Sequence, residues 1–134
     1  MPTPAQLRKL TAAAQTAAAR AYAPYSKFHV GAAVLTSTGK IFAGCNVENA
    51  SYGLCNCAER TAIFSAVAAK ERKLKCVVVY TPTPTATAPC GACRQVIYEF
   101  GPKARVLSFC ASRDRLDTTI AALLPAAFGP ADLA

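Results

Sequence analysis

The stretch AERTAIFSAVAAKERKLKCVVVY, Ala58 to Tyr80, joins two different hydrophobic periods. Its first part, AERTAIFSAVAAKE, places Ala62, Ile63, Ala66 and Val67 on one face of an α-helix that starts at Ala58. Its last part, Cys76 to Tyr80, is an unbroken apolar run rich in β-branched residues, as expected of a strand buried on both faces. A helix feeding a strand that is covered on both sides calls for a sheet with helices packed on it, which makes the fold class α/β. Between them KERKLK, Lys70 to Lys75, reads as a solvated helix end, where cations suit the negative end of the dipole.

The same alternation continues outward from this unit. TPTPTATA, Thr81 to Ala88, is a Pro and Thr loop that fits neither helix nor central strand. A helix then opens near Cys90 and ends near Gly101, ARVLSFC follows as a strand, and TTIAALLP is a short helix closed by Pro125. Upstream, Thr3, Pro4 and Gln6 fit N-cap, N1 and N3 of a first helix whose Leu7, Leu10 and Ala14 recur at helical spacing. That helix stops before Pro24. FHVGAAVLT and KIFAGCNV then form a strand hairpin around the turn STGK. With 134 residues and no internal repeat, the expectation is one layered domain over residues 1–134, a mixed central sheet with helices packed on its faces.

Composition narrows the partners. The chain is 53% hydrophobic and 16% charged, which points to surface covered by subunit contacts, yet no apolar run reaches the roughly 18 to 20 residues of a membrane span. Its net charge of +8 is scattered and not interleaved with aromatic residues, so no nucleic acid is expected as partner. No secretory segment precedes the first helix, which puts the seven cysteines in a reducing cytoplasm without a disulfide framework.

Three of those cysteines carry the chemistry. Cys90 and Cys93 form a C-x-x-C at the mouth of one helix and Cys57 stands at the mouth of the helix before it, where the helix dipole and free N–H groups favour thiolates. Three thiolates on one Zn²⁺ leave its fourth position to water, the mark of a catalytic site. Glu59, two residues after Cys57, is the group to move that water's protons. Three thiolates give the ion a net negative charge, and Arg60 is the residue placed to withdraw some of it by donating to sulfur, ahead of Arg94, which can instead bridge elements of the fold.

Other arrangements of these residues stay open on spacing alone. Cys55 with Cys57, Cys90 and Cys93 could close a structural four-thiolate site, although that would leave Glu59 without a task. A thioredoxin-like redox pair would leave Cys57 and Glu59 unexplained, and the positive charge leaves a polynucleotide substrate open for the same zinc site. Cys45, Cys76 and Cys110 lie in or beside strands and read as core residues, and His29 as a surface or packing residue.

CAE followed by PCGAC resembles the zinc deaminase signature in its three-cysteine form. YAPYSKFHVGAA, GCNVENASYG, CAERTAIFSAV, PCGACRQV and LLPAAFGPADL together resemble the small homotetrameric zinc-dependent cytidine deaminases over nearly the whole chain. The resemblance implies hydrolytic deamination of cytidine and 2′-deoxycytidine to uridine and 2′-deoxyuridine in pyrimidine salvage, with one Zn²⁺ per subunit held by Cys57, Cys90 and Cys93. It implies Glu59 as proton shuttle, Asn46 and Glu48 on the ribose hydroxyls, Phe28 stacked on the pyrimidine and the Ala58 backbone N–H on its carbonyl. It also implies that Tyr52 and Phe128 approach the pocket of a neighbouring subunit in a homotetramer. The residue types suit these tasks, since an amide and a carboxylate can bracket hydroxyls and a phenyl ring offers a flat apolar wall. The carboxylate of Glu48 would repel a phosphate and favour a free nucleoside.

Overall fold

The central strand of the sheet, β3 (Leu74–Thr81), is buried along nearly its whole length, as its valine run requires. The computed structural model describes residues 1–134. Around β3 stand β1 (Gly31–Thr36), β2 (Ile41–Cys45), β4 (Arg105–Cys110) and β5 (Arg115–Thr119), in the spatial order β2-β1-β3-β4-β5. Only β3 and β4 pair in parallel, which makes the sheet mixed. The helices are α1 (Pro4–Ala18), α2 (Ala58–Ala68), α3 (Gly91–Phe100) and the four-residue α4 (Ile120–Leu123).

Strand alternation divides the core into two layers. Ala32, Val34, Val77, Val79 and Val106 face α2 and α3 and pack on Ala62, Ile63, Ala66 and Ile97. Ala33, Leu35, Cys76, Val78 and Phe109 face the opposite way, onto Leu10 and Ala14 of α1. Each valine so buried contributes about 1.5–3 kcal/mol relative to an exposed one. α1 is started by the device its sequence announces. The Thr3 hydroxyl accepts from Gln6 N–H and the Gln6 side chain accepts from Thr3 N–H, with Pro4 at the first helical position.

Two glycines let helices approach the sheet closely. A Cβ on Gly31 would lie 1.9 Å from the Ala14 carbonyl oxygen, and one on Gly44 would lie 2.4 Å from the Ala62 nitrogen. Gly31→Ala is therefore expected to push α1 off β1 and cost about 1–3 kcal/mol. Urea unfolding checks this, and an unchanged midpoint would mean that α1 shifts freely.

Several boundaries differ from the sequence reading. Phe28, His29 and Val30 lie outside β1, because the Asn46 side chain takes the Val30 N–H and the Phe28 carbonyl. The α2 helix ends at Ala68 and Lys70 turns left-handed at φ 67°, so the basic run is a loop followed by the first residues of β3. Thr118 and Thr119, expected in the last short helix, belong instead to β5. This edge strand is polar, and what fixes it is its neighbour: Arg105 on β4 makes a two-pronged ion pair with Asp117 at 2.9 and 2.7 Å. α1, by contrast, ends at Ala18, before Pro24 as expected.

The topology separates charge from chemistry. Lys40, Lys70, Arg72, Lys73, Lys75 and Lys103 are exposed around the end of the sheet where β3 and β4 begin. The helices α2 and α3 begin after the opposite ends of β2 and β3. No helix is long and apolar enough to cross a membrane.

Candidate active site

Cys57 is the N-cap of α2 and Cys90 the N-cap of α3, the positions where a Ser or Asp would usually bond the first turn. Neither sulfur caps its own helix. They turn toward each other instead, with Sγ atoms 3.6 Å apart, and the first-turn N–H groups stay free for other partners. Cys93, in the first turn of α3 and fully buried, completes a group whose three sulfurs lie within 4.8 Å of one another. Tetrahedral zinc with Zn–S bonds near about 2.3 Å sets its thiolates roughly 3.8 Å apart, which this group matches.

The electrostatics fit a cation as well. The Cys57 thiol is held down at about 5, first by its hydrogen bond with Cys93 and then by Arg60 and Cys90. Cys93 is pushed far up, first by that same bond to Cys57, then by burial and by the neighbouring negative charges. One thiolate is thus stable at Cys57 by itself, and a second at Cys93 needs a compensating cation. Arg60 sits where the sequence placed it, its Nη2 donating to Cys57 Sγ at 3.3 Å, and its guanidinium is held charged most strongly by that bond. Arg94 bridges the fold instead: Nε donates to the Pro89 carbonyl at 2.7 Å and Nη1 to the Leu123 carbonyl at 3.0 Å.

Glu59 is 4% exposed, unusual for a carboxyl group, and opens into a cavity of about 150 Å³ together with Cys57 and Cys90. Burial pushes its pKa up to about 7, the Cys57 charge adding to the rise and its own backbone N–H and Arg60 opposing it. A carboxyl tuned to this range both takes and gives protons near neutrality. Phe28, Asn46 and Ala58 line the same cavity, so the structure gathers four residues besides the cysteines that the sequence singled out. Thr87 and Ala88 from the Pro and Thr loop line it too. Their composition carries no signal beyond lying just before Cys90.

The remaining residues stand apart from this cavity. Glu48 accepts from the Tyr25 and Ser26 backbone N–H groups at 2.9 and 3.1 Å and from the Ser26 hydroxyl. With Tyr25, Ser26, Tyr52 and Cys55 it lines a second hollow of about 360 Å³. Tyr52 and Phe128 are 72% and 59% exposed. Cys55 is turned away from the three-sulfur group, accepting from Asn49 N–H at 3.3 Å, which removes the four-thiolate arrangement. All seven cysteines are free, and Cys76 and Cys110 are buried in the core. Larger grooves, of about 500 Å³ between α1 and β2 and about 470 Å³ on the sheet face beside α1, contain no comparable group of ionisable residues.

Residues 4–109 match the family described as the cytidine and deoxycytidylate deaminase zinc-binding region. A cytidine deaminase of Sporosarcina psychrophila is 48% identical over 95% of this chain and 94% of its own. The crystal structure of a cytidine deaminase from Burkholderia pseudomallei superposes with a TM-score of 0.86 at 53% identity, covering 90% of this chain and 98% of that one. One from Mycobacterium tuberculosis gives 0.78 at 38% identity, with 92% and 97% covered.

Proposed function

Because the chain belongs to the cytidine and deoxycytidylate deaminase family, we propose that it deaminates cytidine and 2′-deoxycytidine hydrolytically at the α2–α3 site, giving uridine or 2′-deoxyuridine and ammonia. This is a zinc hydrolase reaction that serves pyrimidine salvage. The observation that carries the reading is the buried Glu59 carboxyl opening on the same small cavity as Cys57 and Cys90.

One Zn²⁺ per subunit is the cofactor, and Cys57, Cys90 and Cys93 would hold it. When bound, zinc supplies a Lewis acid that lowers the pKa of a water molecule and orients it. Glu59 takes a proton from that water as its oxygen adds to C4 of the pyrimidine, and delivers the proton to N3. Glu59, a carboxylate again, takes the second proton from the new C4 hydroxyl and hands it to the amino group; the C4=O bond forms as the C4–N bond breaks, and ammonia leaves. Arg60 draws charge from the Cys57 sulfur, offsetting the net negative charge of three thiolates. Phe28 forms the wall for the base, and the Ala58 N–H, at the open first turn of α2, is the donor for its carbonyl oxygen.

Asn46 and Glu48 meet the sugar hydroxyls, and the negative charge of Glu48 favours nucleosides over nucleotides. Tyr52 and Phe128, which stand exposed on the subunit surface, would each reach a neighbour's site in a homotetramer. The protein acts in the cytoplasm, without nucleic acid or membrane as partner. Loss of cytidine absorbance with ammonia release, measured beside a cytosine-containing single-stranded oligonucleotide, tests the reading. Turnover of cytidine alone is expected. Turnover of the oligonucleotide alone would replace this reading with that of a polynucleotide deaminase.

A further inference from the structure

The segment that carries Phe28 is held by side chains rather than by the sheet. Asn46 Nδ2 donates to the Phe28 carbonyl at 2.7 Å, and Asn46 Oδ1 accepts from Val30 N–H at 2.9 Å. On the other side, Phe28 N–H donates to the Ser26 hydroxyl oxygen at 3.0 Å, while that hydroxyl donates to Glu48. Between them Lys27 adopts φ 61°, a left-handed conformation that a residue with a Cβ enters at a cost and keeps only where its surroundings insist. The Lys27 N–H closes the turn onto the Ala23 carbonyl at 3.0 Å. Ser26 is thus the one side chain touching both Glu48 and the Phe28 backbone.

We propose that Ser26 is a positioning residue: its hydroxyl relays the Glu48 carboxylate to the Phe28 backbone, so that the wall for the base and the carboxylate for the sugar are set as one unit. This rests on the assignments of Phe28 and Glu48 above. Glu48 has four lone-pair directions, of which the two backbone N–H groups and the Ser26 hydroxyl occupy three. The fourth is left for a ligand hydroxyl, so Glu48 can engage a sugar without releasing Ser26. Without the serine hydroxyl, Lys27 is free to relax and the Phe28 ring loses its fixed position, which weakens substrate binding while leaving Glu59 and the cysteines in place.

The test compares kcat and KM for cytidine in the zinc-loaded parent, Ser26→Ala, Ser26→Thr, Glu48→Ala and the double variant, with zinc content, Tm and exchange of the Phe28 amide hydrogen for each. Ser26→Ala is expected to raise KM about tenfold, the scale of one lost hydrogen bond to a charged group, with kcat within about twofold. Zinc content and Tm stay at parental values, the Phe28 amide exchanges about tenfold faster, and Ser26→Thr restores both KM and exchange. In the double variant KM stays within about twofold of Glu48→Ala alone, because the relay is already cut. An unchanged KM and exchange rate in Ser26→Ala, multiplying effects in the double variant, or a joint fall of kcat, zinc content and Tm would overturn the relay. A parent that fails to turn over cytidine would sink the functional reading instead, and the exchange rate of Phe28 would still decide the relay.

Discussion

Glu59→Gln is expected to lower kcat on cytidine by roughly a thousandfold or more, the upper range of general acid–base contributions, while each chain keeps its zinc. The substitution preserves shape and removes only the capacity to take and return a proton. The carboxyl it replaces is buried, is pushed up to about 7 chiefly by that burial, and lines the cavity beside two of the three sulfurs. The three sulfurs that would hold the metal are untouched by the substitution, so zinc should remain. Rates under saturating cytidine, together with metal analysis of the same sample, check both halves. Retained turnover would take the proton-transfer role from Glu59, and lost zinc would make it a structural support.

Stripping zinc with a chelator is expected to abolish turnover, and one equivalent of Zn²⁺ to restore it. Cys90→Ala should behave like the stripped protein even with zinc supplied, because two sulfurs do not make the site. The fold should survive with a lower Tm. The two core layers are built by strands and helices that do not need the metal, and a ligand bound only by the folded state adds about 4 kcal/mol at a thousand times its dissociation constant. Cys55→Ser supplies the contrast, since its sulfur is engaged with Asn49: zinc and activity should both remain. Calorimetric melting and activity of the same preparations separate these outcomes, and full activity after chelation would remove the metal from the reaction.

What the sequence made legible is what local chemistry determines. Thr3, Pro4 and Gln6 start α1 as their types dictate, the valines of Cys76–Tyr80 stand mid-sheet, and Cys57 and Cys90 occupy the helix mouths. What stayed hidden depends on partners distant in the chain. β5 carries no strand signal in its polar residues and becomes one where Asp117 meets Arg105 across the ladder. The strand-like Phe28–Val30 leaves β1 because Asn46, far along the chain, supplies the bonds a neighbouring strand would have made. Thr87 enters the cavity only because α3 brings Cys90 to Cys57. Gly31 and Gly44 carry no sign in the sequence of what they do, which appears once α1 and α2 lie against them.

X-ray absorption at the zinc edge of the loaded protein measures the donor set directly. Three sulfurs at about 2.3 Å and a single lighter oxygen donor are predicted, the oxygen exchanging when a nucleoside is added. A shell of four sulfurs, with no lighter atom and no response to cytidine, would contradict it.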